Sequence, residues 1–115
     1  MKAFVFVLLL SSCAYHVDKK AFDSGPSLGH LGFKSLNAQV FEHKCGRCHT
    51  GDWVGDYNAA VSGAPEIAAR ISSSDPGFMM PPAGETPLTA AEKAAVLDWI
   101  ARGTPLEDPT NEERP

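Results

Sequence analysis

The chain has 115 residues, enough for one domain and little else. Its hydrophobic share of 43% and charged share of 21% are ordinary for a soluble globular protein. The formal net charge of −4 argues against a general nucleic-acid binder, which would carry a basic surface.

Residues 1–12 read as an export signal. Met1-Lys2 gives a minimal positive start, Ala3 to Leu10 an apolar run, and Ser11-Ser12 the small residues of a processing site. The run of eight is far short of the roughly 20 residues that a membrane-spanning helix needs. Leu10-Ser11-Ser12-Cys13 is similar to a bacterial lipoprotein processing box. That similarity implies lipidation at Cys13 and attachment on the periplasmic side of a bacterial membrane. Ala14 stands where an Asp commonly signals inner-membrane retention, which leans towards the outer membrane. The alternative is an ordinary signal peptide cut after Ala14, which gives a soluble periplasmic chain. Residues 13–34 mix charge, Gly and Pro without a sustained period and read as a tether, with His16 and His30 as solvated linker histidines.

From Ser35 the pattern turns helical. Leu36, Val40 and Phe41 fall at helical spacing, with Ser35 or Asn37 able to cap the start. A second short helix is expected from Pro65, a residue suited to the first helical position, to Ile71. The last helix has the clearest signals. Thr89-Ala90-Ala91-Glu92 spells a capping box, Val96, Trp99 and Ile100 form an apolar face flanked by Ala95 and Leu97, and Gly103 stops it. No segment has strand period, and residues 106–115 read as a polar, frayed tail. The expected fold class is therefore all-α, with about three short helices in a domain spanning residues 35–105. A unit of about 70 residues with long Gly/Pro-rich connections needs a staple, such as disulfides, a metal or a large apolar cofactor.

Cys45-Gly46-Arg47-Cys48-His49 supplies a candidate. It spells C-x-x-C-H, the attachment signature of c-type haem. Two thiols three positions apart on a helical turn reach the two vinyl groups, and the adjacent histidine comes beneath the iron. A planar apolar cofactor then becomes the core around which short helices close. Three other readings compete. A thioredoxin-like redox pair expects a strand before the motif and a βαβ setting. A zinc site needs four ligands, and no second C-x-x-C pair exists. A Cys45–Cys48 disulfide closes too small a loop to stabilise a domain well.

Taken together, the aromatic-bearing helix leading into "CGRCH", the "MPP" loop and "LTAAEKAAVLDWIARG" resemble a compact class I monohaem cytochrome c domain, over about Leu36 to Pro105. The resemblance implies an all-α cytochrome c-like fold and one covalent haem c. It further implies thioether bonds at Cys45 and Cys48, His49 as proximal ligand, and a contact between terminal helices involving Phe41 and Trp99.

For the opposite face of the iron, Met79 and Met80 are the candidates, since Met/His ligation is a known pairing that raises the reduction potential. Met80 precedes Pro81, is pushed to extended backbone, and so points opposite to Met79. The Pro81-Pro82 restraint and the family's Met-Pro habit both select Met80. Phe78 is expected to cover a haem edge beside it, and His43 to lie at the surface or the propionate side. Arg70, Trp53 and Tyr57 are possible propionate donors, and Pro65 a possible neighbour of the proximal histidine.

The implied function is one-electron transfer to redox partner proteins, without enzyme chemistry and without nucleic acid. The alternative is a haem sensor or peroxidase-like protein whose distal ligand is readily displaced.

Overall fold

The structure, a computed structural model, describes residues 27–110; the export signal, Cys13 and most of the expected tether lie outside the described residues. The first helix begins earlier than Ser35. Helix α1 spans Phe33–Leu36 and runs into a π-helical stretch, Asn37–Phe41, followed by α2, Glu42–Lys44. Neither expected cap closes it. Gly32 holds the N-cap position with no side-chain bond. The free amides are instead taken up by the chain's far end: Phe33 N donates to Pro105 O (2.8 Å), Lys34 N to Leu106 O (3.2 Å) and Gly32 N to Asp108 Oδ1 (2.7 Å). Ser35 Oγ also donates to Asp108, and Lys34 pairs with Glu107. The start of the nominal tail is thus the cap of α1, and the polar residues through Asp108 are docked.

The domain limits shift accordingly. Leu31 and Phe33 are buried with the core, so the folded unit reaches several residues further towards the N-terminus than Ser35. Asn37 is buried mid-helix and serves as a tie. Its Nδ2 donates to Glu42 Oε1, and its Oδ1 accepts from Gly55 N at 2.8 Å. His30, expected to be solvated, lies 3.1 Å from the Asp98 carboxylate. Arg102 Nε meets the same carboxylate at 2.7 Å, and its Nη2 donates to Leu31 O.

After the bend at Cys45, α3 spans Gly46–His49. An isolated bridge between Thr50 and Val54 closes the next turn, and no β-strand occurs among the described residues. Helix α4 spans Tyr57–Ser72, more than twice the extent the sequence suggests. Its cap is Asp56, whose Oδ1 accepts from Ala59 N at 3.1 Å. Pro65 lies inside this helix rather than opening it. Its ring is on the exposed face, so the hydrogen bond it cannot make falls on the solvent side. The opposite face carries Ala60 and Ala64, both buried, whose small size lets α4 approach its neighbours closely.

Helix α5, Ala90–Ala101, starts on the expected capping box, with Glu92 N donating to Thr89 Oγ1 (3.1 Å) and Thr89 N to Glu92 Oε1 (2.9 Å). Ala95, Val96 and Trp99 are its buried residues, while Ile100 is half-buried. The helix ends at Gly103, which takes φ of 89°, a conformation open to glycine. Trp99 sits at the centre of the core, with ring centroids 6.0 Å from Phe41 and 6.1 Å from Phe33, and its Nε1 donates to Pro105 O. The fold is all-α, and α1 with its π-helical extension packs across α5 at these rings.

Candidate cofactor site

The segment carrying the three motif side chains is shaped by backbone hydrogen bonds. Cys45 N donates to Phe41 O (2.9 Å), which ends the run from α1, and His49 N donates back to Cys45 O (3.0 Å). Cys45 thereby becomes the N-cap of α3, and Cys48 and His49 occupy its last positions. Gly46 is buried beside Phe41 O, Thr50 and Val54.

These residues open onto a cavity of about 640 Å³. That volume is within the range of about 300–1,000 Å³ typical of small-molecule and cofactor pockets. Its lining includes Cys45, Cys48 and His49 from the motif and Met80, Pro81 and Pro82 from the Met-Pro segment. Its apolar lining also includes Ile67 and Ile71 from α4, Val96 from α5, Leu88 and Val40. Charged side chains line it too: Lys44, Arg47, Asp52, Glu66, Arg70 and Glu85. Of the two adjacent methionines, Met80 lines the cavity and Met79 is not among its lining residues.

Both thiols are free. Cys48 is exposed, whereas burial, with the negative charge of Glu92 adding to it, pushes the Cys45 thiol up to about 11. Cys45 is therefore a neutral thiol at physiological pH and forms part of the apolar wall. His49 is half-buried. Its Nδ1 lies 3.3 Å from Asp52 Oδ2, and its ring centroid is 5.4 Å from that of Trp53. Among the described residues, no group of three or more His, Cys, Asp or Glu side chains gathers to hold a metal ion. No helix among them is long and apolar enough to cross a membrane.

The other sequence candidates separate. Arg70 and Trp53 line the cavity; Tyr57 does not, and its hydroxyl donates instead to Thr104 O at 2.7 Å. His43 is exposed. Pro65 is exposed on α4 and outside the cavity lining. Phe78 is also outside the lining. It is 38% exposed and stacks under the Arg70 guanidinium, 4.3 Å from ring centroid to Cζ. Its expected place beside Met80 fails because the chain between them does not alternate as a regular strand: Phe78 lies in a turn, with its N–H and that of Met79 both bonded to Asp75 O.

Two partners had no sequence signal strong enough to assign them. Asp52 was one polar residue in an irregular connection, and only the fold shows that it faces His49 Nδ1. The pairing of Lys44 with Glu92 and with Pro87 O depends on α2 meeting the start of α5.

Comparison with protein-family models, with curated proteins and with solved structures finds no match.

Proposed function

We propose that the chain is a monohaem c-type cytochrome that passes single electrons between partner proteins, anchored to a membrane through lipid at Cys13. One observation carries the reading. One mostly apolar cavity is lined by the C-x-x-C-H side chains Cys45, Cys48 and His49 and by Met80.

The residues present fit the group. The apolar residues Val40, Ile67, Ile71, Leu88 and Val96 suit a planar hydrophobic ring, and the cationic side chains Lys44, Arg47 and Arg70 suit the ring's carboxylates. Cys45 and Cys48 would hold haem c through thioether bonds, with His49 and Met80 as the iron ligands. Haem bound there supplies a one-electron change between ferric and ferrous iron. The chain's own part is to hold, orient and exclude water. Asp52 accepts from His49 Nδ1, which fixes the tautomer that leaves Nε2 free as a donor to metal. Met80 supplies a soft thioether, and Pro81 and Pro82 restrict the backbone of the segment carrying it. In this reading the fold is a compact cytochrome c-like domain, and the site has no open position for substrate chemistry.

The test is direct. Protein made in cells with a haem-attachment system is analysed by intact mass and optical spectroscopy. Covalent haem on Cys45 and Cys48, lipid on Cys13, and a methionine–iron charge-transfer band lost in Met80→Ala but kept in Met79→Ala are the expected results. A chain with no added haem mass and titratable thiols at both cysteines would overturn the reading. Covalent haem with high-spin ferric iron and peroxide turnover in the unmodified protein would replace it with the sensor or peroxidase-like alternative.

A further inference from the structure

The segment that brings Met80 to the cavity is a loop, residues 73–89, with no helix of its own. A loop has many conformations, and a ligand arm has to be confined to one. Its internal order comes from Asp75, whose carbonyl accepts from Phe78 N and Met79 N and whose Oδ1 accepts from Gly77 N. Those bonds shape the turn without attaching it to the body of the protein.

Further along, Arg47 holds Glu85 and Lys44 holds Pro87 O, but the stretch from Ser73 to Met80 is attached through one residue, Arg70, in the last turn of α4. Its main-chain carbonyl accepts from Ser73 N (3.3 Å) and from Met80 N (3.1 Å). Its side chain grips the same loop at a second point: Nη1 donates to Phe78 O (3.3 Å), and the guanidinium lies over the Phe78 ring. The guanidinium is itself oriented by Nε donating to Glu66 Oε1, one turn back, at 2.9 Å. Glu66 and Arg70 both line the cavity that Met80 faces. Arg has the geometry for this task, since a planar fork can bond a carboxylate, a carbonyl and an aromatic face together.

We infer that Arg70 is a positioning residue for Met80, a latch that holds the methionine arm closed against the cavity and so decides how readily the arm is released. The inference rests on the cytochrome reading for its consequence at iron, but the latch itself is a property of the loop. Because the Met80 N–H bonds the main chain of Arg70, replacing the side chain leaves that bond intact and removes the Phe78 grip, together with the Glu66 pair that orients it. Loosening the grip raises the population of the open arm without changing the ligand.

The experiment compares the unmodified holoprotein with Arg70→Ala, Arg70→Lys and Phe78→Ala. The first readout is the apparent affinity of ferric iron for imidazole, which competes with Met80. Arg70→Ala is expected to bind it roughly tenfold more tightly, the change given by losing one charge-assisted contact and one cation–π contact at a half-exposed site. Arg70→Lys, which keeps charge but lacks the planar fork, is expected to recover only part of the loss. The double variant Arg70→Ala/Phe78→Ala is expected to match Arg70→Ala alone, because the ring contact that Phe78→Ala removes is already lost in Arg70→Ala. The second readout is amide hydrogen exchange at Phe78, Met79 and Met80, which is expected to accelerate in Arg70→Ala while exchange in α5 is unchanged.

Unchanged imidazole affinity and unchanged loop exchange in Arg70→Ala would overturn the latch even with haem and Met80 ligation intact. Additive effects of the two single changes would also overturn it. A protein that carries no haem would defeat the cytochrome reading alone, and the exchange comparison would still decide the latch.

Discussion

Around Trp99 the chain packs protein on protein. Trp99, Phe41, Leu36, Val40 and Val96 are all less than 2% exposed, and the segment after Gly103 folds over them to cap α1. On the other side of Phe41 and Val96, the same two residues help line the cavity, faced by Ile67, Ile71 and Met80, all only partly buried. Helix α4 contributes just two fully buried residues to the core, Ala60 and Ala64. One side of the molecule is complete as protein. The other presents a concave, mostly apolar lining that includes Cys45, Cys48, His49 and Met80.

That contrast makes predictions of unequal size. Trp99→Ala should be the most damaging single change, because it removes a fully buried ring and its hydrogen bond to Pro105. A loss of about 3–5 kcal/mol is expected, measured by urea denaturation, and is a large part of the stability of a small domain. Ile71→Ala, at the half-buried cavity wall, should cost about 1 kcal/mol. Equal losses from the two would abolish the distinction between the closed side and the cavity side.

Gly32→Ala tests whether the closed side depends on its cap. A methyl group there would fall inside the main chain of Glu107 and Asp108, which has no flexible end to move aside. Undocking of residues 105–108 would strip three amides of α1 of their acceptors. A destabilisation of about 1–3 kcal/mol is expected, accompanied by faster amide exchange at Phe33 and Lys34. Unchanged exchange at those two amides would show that the cap does not depend on this close approach.

How much of this could be read in advance follows from what each feature depends on. The α5 start, its stop and its buried Trp99 rest on local spacing and capping chemistry, which the sequence spells out within a few residues. C-x-x-C-H is likewise local. The start of α1 was not legible, because its amides are satisfied by acceptors more than 70 positions away, and no window contains both partners. The sequence understates helix α4 because Pro65 reads as a beginning, and because Ala60 and Ala64 give a weak apolar signal although both are buried in the core. Phe78 was placed by strand alternation in a segment that is a turn. The cavity side was legible as chemistry and illegible as geometry: the motif predicted its side chains, while Arg70, Asp52 and Lys44 took their roles from the fold.

On the cavity side, Asp52→Asn sharpens the contrast by changing charge without changing shape. The Asp52 carboxylate, 3.3 Å from His49 Nδ1, strengthens the imidazole as a donor. In the cytochrome reading this favours ferric iron, so the amide should raise the reduction potential. The Asp52 side chain is 66% exposed and its field is screened. The expected rise is about 30 mV, roughly a threefold change for a one-electron couple, read by redox titration with folding stability unchanged. A fall in potential would remove Asp52 from the histidine's environment.

The smallest expected effect lies back on the closed side, at the clamp joining His30, Asp98 and Arg102. Partial burial pushes the Asp98 carboxyl up, but the hydrogen bonds and charges of Arg102 and His30 outweigh it and hold the carboxyl below the usual carboxylate range. Such a group takes up a proton less readily folded than unfolded. Its contribution to stability is therefore present above about pH 4, the ordinary carboxylate value, and is lost as pH falls through the lower folded-state value. The side chains of Asp98 and His30 are 30% and 47% exposed, so solvent screens the pair. The contribution should stay below about 1 kcal/mol. Urea denaturation of the unmodified chain and of Asp98→Asn, at neutral pH and again below pH 4, measures it. The two proteins should differ at neutral pH and converge in acid. A difference that persists unchanged into acid would mean that Asp98 acts through packing, and that the clamp's charge does nothing to hold Leu31 and the N-terminal approach against α5.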